Sequence, residues 1–357
     1  MVPSLPATLP WQAIEYAYDD RSGLYRKTKT TQVTPFVAAF ARDEVVAQLR
    51  ELLPCQCVQV KTSRELAAAA TRPGALVFIE WDALCHIDPQ VTKVAIVAIM
   101  DESAEMLPRL IRSFDAYPWL AHCLSAALLQ RPGTRAHLAM LVERLVMGTD
   151  PGMLGEARVA RLARASHRDS RFERIRVFFA DRGVTSRTID RISEVYEELV
   201  TNALYDAPLE AGYFKKSIAR TSDVDLPAER ACEISYGIDH DTAYIRVRDT
   251  FGALSRARMV EVLTRCNTTG VAIDDSRGGA GLGLWRVFSA ASSVVVTVDP
   301  GRVTEIMVGI ATKEKRASRP AAVDLFFAPS AVARLRMSAD DDVESLIDHS
   351  ITLIRVA

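Results

Sequence analysis

The chain has 357 residues, 49% hydrophobic and 25% charged, with a formal net charge of −1. The length favours two domains, the composition is that of an ordinary globular protein, and the near-neutral balance gives no global reason to expect nucleic acid or an anionic membrane as partner. The six cysteines form neither a disulfide framework nor paired Cys-x-x-Cys zinc spacing. Residues 1–10 lack the marks of a signal peptide, and no stretch reaches the roughly 18–20 apolar residues of a membrane span, so the expectation is a reduced, cytoplasmic protein.

Residues 1–32 bear Pro, Thr and Lys with little periodicity and read as an N-terminal arm. From 33 to 148 the pattern alternates. Buried strands are expected at 36–40, 57–60, 75–79 and 94–99, with helices at 44–53, 64–71, 106–114 and 135–146 and a short apolar piece at 120–124. Near-continuous apolar strands alternating with helices imply a doubly wound parallel sheet. Their order and size resemble the receiver domain of two-component response regulators. The chemistry of that family is missing here. Phe40-Ala41-Arg42 stands where receivers carry an acidic pair, Glu80 stands at the phosphoacceptor position, and no Lys follows the last strand near His122-Cys123-Leu124. Asp43 and Glu44 read as the acidic start of a helix. The expectation is a pseudo-receiver that is not phosphorylated and that contacts other proteins. Cys85-His86 and His122-Cys123 invite a metal reading, but buried Cys is common in cores.

Gly148, Pro151-Gly152 and Gly155 mark a join, followed by a basic, Ala-rich piece. Residues 172–179 read as a helix, and Thr185 or Ser186 caps the next one. Along that second helix Ile189, Ile192, Val195, Leu199, Val200 and Ala203 form one apolar stripe. Glu198 and Asn202 are four apart, which puts them on one face, one turn above the other. An amide oxygen is a hard ligand for Mg²⁺, and a carboxylate can orient or deprotonate a nucleophile.

A long polar passage, 205–229, precedes strands at 232–236 and 243–247, joined by Asp239-His240-Asp241. The second strand runs into Asp249-Thr250-Phe251-Gly252. A strand-end Asp can accept from an exocyclic amino group, and a glycine beyond it permits close approach of backbone. Residues 254–263 read as a helix and 264–277 as a mobile lid. Gly278-Gly279-Ala280-Gly281-Leu282-Gly283 then opens an apolar helix, as a phosphate cradle of free backbone amides would. No Gly-Lys-Ser/Thr follows, which excludes a Walker loop, and the element order is not that of a dinucleotide fold. Strands at 294–298 and 303–310 close the region.

Residues 165–312 resemble the GHKL superfamily of ATP-binding domains, nearest to the anti-sigma-factor serine kinases. Four motifs in order carry the resemblance: Glu198-x-x-x-Asn202-Ala203, Asp249-x-Phe251-Gly252, Gly279-Ala280-Gly281-Leu282-Gly283-Leu284 and Gly301-x-x-Thr304-Glu305. The resemblance implies an α/β sandwich binding ATP and Mg²⁺. Asn202 would hold Mg²⁺, Glu198 would act as base, and Asp249 would read adenine, with Thr304 beside it. Gly252 would lie near the ring, and Gly279, Gly281 and Gly283, with Leu282 among them, would face the phosphates. Phe251 departs from the pattern: a bulky side chain stands where a glycine is usual. Asp206 likewise stands where many relatives carry His or Lys.

His167 is the only candidate phosphoacceptor histidine. It lies too near Asn202 for a histidine kinase's dimerisation hairpin, and a helix cap is the plainer reading. A kinase acting on a partner protein's Ser or Thr fits the spacing better; the competing reading is a non-catalytic, nucleotide-gated or nucleotide-free scaffold. Protein partners are expected, a second copy of the chain among the candidates. Residues 313–357 read as a C-terminal extension in which Leu325-Phe326-Phe327 docks as a strand or short helix and Asp340-Asp341-Asp342 is a solvated turn.

Overall fold

A computed structural model describes residues 11–19, 24–33, 35–53, 55–87, 94–101, 106–131, 134–147, 156–268, 282–313 and 321–327. The fold is mixed α/β. In chain order the first elements are β1 (Trp11–Asp19), β2 (Leu24–Val33), β3 (Phe36–Phe40), α1 (Asp43–Leu52), β4 (Gln56–Gln59), α2 (Ser63–Ala70), β5 (Ala75–Glu80) and β6 (Ala95–Met100). Then come α3 (Met106–Ala116), β7 (His122–Ser125), α4 (Thr134–Met147), β8 (Glu156–Leu162), α5 (Arg168–Ala180), α6 (Ser186–Thr201) and α7 (Ala207–Glu210). The last are β9 (Cys232–Asp239), β10 (Thr242–Asp249), α8 (Arg256–Thr268), α9 (Leu282–Ala290), β11 (Ser293–Asp299), β12 (Val303–Ala311) and β13 (Ala322–Phe327).

The chain divides into two compact units. One comprises residues 1–102, 124–152 and 334–357, the other 103–123 and 153–333. Residues 103–123 thus group with the second unit, although the chain returns to the first before entering the second again. A single cut near 148 does not describe this grouping.

In the first unit, β3 to β6 are parallel in the order β4-β3-β5-β6, as doubly wound sheets begin. Val37, Ala38, Ala39, Val77, Phe78 and Ile79 are wholly buried, which explains the near-continuous apolar runs. Thr62 caps α2 by accepting from Glu65 N at 3.2 Å, and Glu65 reaches back to Lys61 N at 2.8 Å. At the carboxyl ends of the strands Arg42 closes the edge. Its backbone N–H and Nε donate to the two oxygens of Glu80 at 2.8 and 2.6 Å, and Nη2 donates to Asp101 at 3.2 Å. A cation therefore lies against the Glu80 carboxylate. Within the residues read as an N-terminal arm with little periodicity, β1 forms an antiparallel hairpin with β2. Their run of Thr and Lys hides the strand signal, because the β-branched residues alternate with charges rather than with apolar groups.

In the second unit the sheet order is β13-β11-β12-β10-β9-β8, antiparallel except for β11 with β13. The basic, Ala-rich piece is thus a strand, and Leu325-Phe326-Phe327 lies in β13, as its apolar pattern implies. The β9–β10 connection is a two-residue turn in which His240 adopts φ +50. Helices touch in the sequence α5, α6, α9, α8, α3, and α6 rests on β10 and β12. The α6 stripe supplies that contact: Ile189, Ile192, Val195, Tyr196, Leu199 and Val200 are buried, each worth about 1.5–3 kcal/mol when fully withdrawn from water. Thr185 caps α6, its Oγ1 accepting from Thr188 N at 3.3 Å.

Among the described residues, segment 106–123 is tied to this unit by α3 on α8, by Leu325 N donating to Ala121 O at 2.9 Å, and by two side-chain contacts. Arg256, near the start of α8, donates through Nη2 to the carbonyls of Phe114 (2.9 Å), Tyr117 (3.4 Å) and Leu120 (3.2 Å), closing the C-terminal end of α3. His122 Nδ1 lies 3.1 Å from Asp324 Oδ1 on β13, both side chains being buried. Cys123, also buried, has its thiol pushed well up by burial and by Asp324. His122 therefore has a carboxylate partner, and no cluster of three or more His, Cys, Asp or Glu that would hold a metal occurs among the described residues.

Candidate nucleotide site

Among the described residues, those singled out in the second unit fall in two groups: Glu198, Asn202 and Gly283 on α6, the turn after it and α9, and Asp249, Gly252 and Thr304 at the ends of β10 and β12. The α-helical part of α6 stops at Thr201, and Asn202–Asp206 continue as a π-helical turn, with Ala207 N donating to Asn202 O. Such turns recur at functional sites because the extra residue offsets the side chains of one face. Asn202 is half-buried at the first position of that turn, four residues after Glu198. Asp206 lies at the far end. Burial raises its pKa, Arg220 at 2.9 Å and Glu198 acting on it in opposite directions.

The Glu198 side chain is 15% exposed, and its Oε1 accepts from Arg286 Nη1 at 3.1 Å. The first turn of α9 packs directly on it: a Cβ added at Gly283 would come within 2.1 Å of Glu198 Oε2. The absence of a side chain at 283 thus serves the contact between α9 and Glu198. Arg286 was not legible as a site residue. Its only sequence signal is a cation near the N-terminal end of a short helix, where an anion is favoured unless a carboxylate faces it.

Asp249 ends β10 and is buried. Its Oδ1 accepts from Phe251 N at 2.8 Å and Gly252 N at 3.3 Å, so it closes its own turn. Burial pushes its pKa up to about 6 against the lowering effect of those amides and of Thr304. Thr304 stands opposite Asp249 in the β10–β12 register. Its Oγ1 is buried without a hydrogen-bond partner, near enough to favour the carboxylate but outside bonding geometry. Gly252, at φ +58, backs onto the β11–β12 turn. A Cβ there would lie 2.2 Å from Asp299 O, and Gly301 N donates to Gly252 O at 3.1 Å.

Phe251 is 3% exposed. Its ring lies 5.6 Å from that of Tyr213, and the Arg230 guanidinium sits 5.2 Å from its centre while donating to Thr250 O at 2.6 Å. Tyr213 comes from the long polar passage after α6 and Arg230 from just beyond its end, and neither carried a signal of this role in sequence.

Gly279 and Gly281, with most of the expected lid, lie outside the described residues. Residues 264–268 belong to α8, and Leu282 opens α9. His167 is the exposed N-cap residue of α5, in keeping with the helix-cap reading. No protein-family model matches the sequence, and no curated protein is similar to it.

Proposed function

We propose that the second unit binds ATP with Mg²⁺ in a GHKL-like site and that the protein works in signalling, transferring phosphate to Ser or Thr of a partner protein. The observation that carries this reading is a pair of packed contacts between residues far apart in sequence: Gly283 on the Glu198 carboxylate, one turn from Asn202, and Thr304 opposite the buried Asp249. The donor set fits the group. The Asn202 carboxamide with Asp206 nearby offers hard oxygens, and Mg²⁺ asks for only one or two of these beside phosphate oxygens and water. The buried, unpartnered Thr304 Oγ1 and the desolvated Asp249 offer polar atoms for a purine edge. When bound, Mg²⁺ would offset the charge of the phosphates. Glu198 would orient the attacking hydroxyl, and the first turn of α9 would present backbone amides to anionic oxygens.

The Arg286 ion pair on Glu198 favours a second reading, a nucleotide-gated scaffold without turnover, because a base held by a guanidinium is a poor base. The closure of Glu80 by Arg42 suits either case: the first unit would serve as a fixed contact surface. Turnover separates them. A phosphoryl-transfer protein is expected to hydrolyse ATP slowly without its partner, with Glu198→Ala lowering the rate by about 100-fold or more. Turnover absent in the native chain, with binding intact, would leave the scaffold.

A further inference from the structure

We propose that Phe251 is an occluding residue: its ring, held between Tyr213 and Arg230, fills the approach to the Asp249–Thr304 pair, and base binding requires it to swing away. This rests on the nucleotide reading above. Three observations carry it. The ring is 3% exposed, yet it sits two residues after the strand-end Asp that closes its own turn, not within a helix or strand. Its ring contacts include Tyr213, which is itself 47% exposed and lies on the polar passage after α6, outside the sheet, and the Arg230 guanidinium. Asp249, whose Oδ1 accepts from Phe251 N, and Thr304 opposite it are 6% exposed each, and Thr304 Oγ1, though near the carboxylate, has no hydrogen bond in good geometry. A buried hydroxyl left unsatisfied is uncommon and is explained if a ligand atom supplies its bond. Adenine offers both a donor for Asp249 and an acceptor for Thr304.

A side chain that must leave before a ligand enters raises the apparent dissociation constant by the inverse of the open fraction. A ring displaced in about one molecule in ten to one in a hundred weakens binding by about 10- to 100-fold. A partner that binds Tyr213 and draws it off the ring would then raise nucleotide affinity by up to the same factor. In this way the site is coupled to protein contact without any change in its phosphate-binding end.

The test is calorimetric titration of the full chain with ATP and, separately, GTP, each with Mg²⁺, on the native protein, Phe251→Ala, Tyr213→Ala and Phe251→Ala/Asp249→Asn. Thermal melts without nucleotide report folding. The expected result is ATP binding tightened about tenfold or more by Phe251→Ala and by a smaller factor by Tyr213→Ala. The preference for ATP over GTP should fall when Asp249→Asn is added. Tyr213 is half exposed, so its variant carries the test if Phe251→Ala does not fold. Unchanged or weaker binding in the variants, with the native chain binding ATP, would overturn the occlusion and leave the nucleotide site standing. No saturable binding in any of the four proteins would remove the nucleotide reading, and the occlusion with it.

Discussion

Burial keeps the proton on Asp249 up to about pH 6, well above the ordinary carboxyl value. Below about pH 4 both folded and unfolded chains carry that proton, and above about pH 6 neither does. Between them only the folded chain holds it, so stability from this group falls as pH rises through the window and is level beyond it. Asp249→Asn mimics the protonated form. The variant is expected to match the native protein in denaturant unfolding near pH 4 and to exceed it by up to about 3 kcal/mol at pH 7. A constant difference between the two proteins across that range would mean that the carboxyl is not desolvated. Gly283 gives a test of opposite sign. Ala for Gly inside a helix ordinarily stabilises by about 0.5–1 kcal/mol. Here the added methyl meets the Glu198 carboxylate, which Arg286 holds in place, so Gly283→Ala is expected to destabilise. In a Glu198→Ala background the same change should become neutral or stabilising, a coupling of about 1–3 kcal/mol. Both glycines could be picked out in the sequence. What they approach could not, since Glu198 lies far from Gly283 along the chain, and the turn behind Gly252 is known only once β11 and β12 pair.

Among the elements, those specified by local signals were legible. The apolar stripe and Thr185 cap of α6, the buried runs of β3, β5 and β6, and the Leu-Phe-Phe of β13 each announce themselves within a few residues. The β1–β2 hairpin and β8 were not, because their residues are polar or small and register is set by a partner strand. Nor was the grouping of α3 with the second unit. It is made by contacts distant in sequence, among them Arg256 reaching three carbonyls some 140 residues back along the chain. That contact is testable. Arg256→Ala removes this donor from all three carbonyls, with Tyr117 O keeping its bond from Leu120 N, and is expected to cost about 2–4 kcal/mol. Amide exchange should rise first in α3 and residues 117–121, before the strands β10 and β12. Exchange rising evenly over the unit would show that Arg256 does not fasten this segment separately.

At the scale of the whole molecule, two units share one interlaced chain, and each has a polar centre closed by a cation: Arg42 on Glu80 in the first, Arg286 on Glu198 in the second. The second keeps the oxygens that a nucleotide and Mg²⁺ would use, and its cation is 61% exposed and so free to turn toward solvent or phosphate. The most direct measurement is calorimetric titration of the native chain and Asn202→Ala with ATP, with and without Mg²⁺, to about 5 mM nucleotide. The account expects saturable binding that Mg²⁺ strengthens in the native protein, and loss of that Mg²⁺ dependence in Asn202→Ala. Binding that ignores Mg²⁺, or the same Mg²⁺ dependence in both proteins, would contradict it.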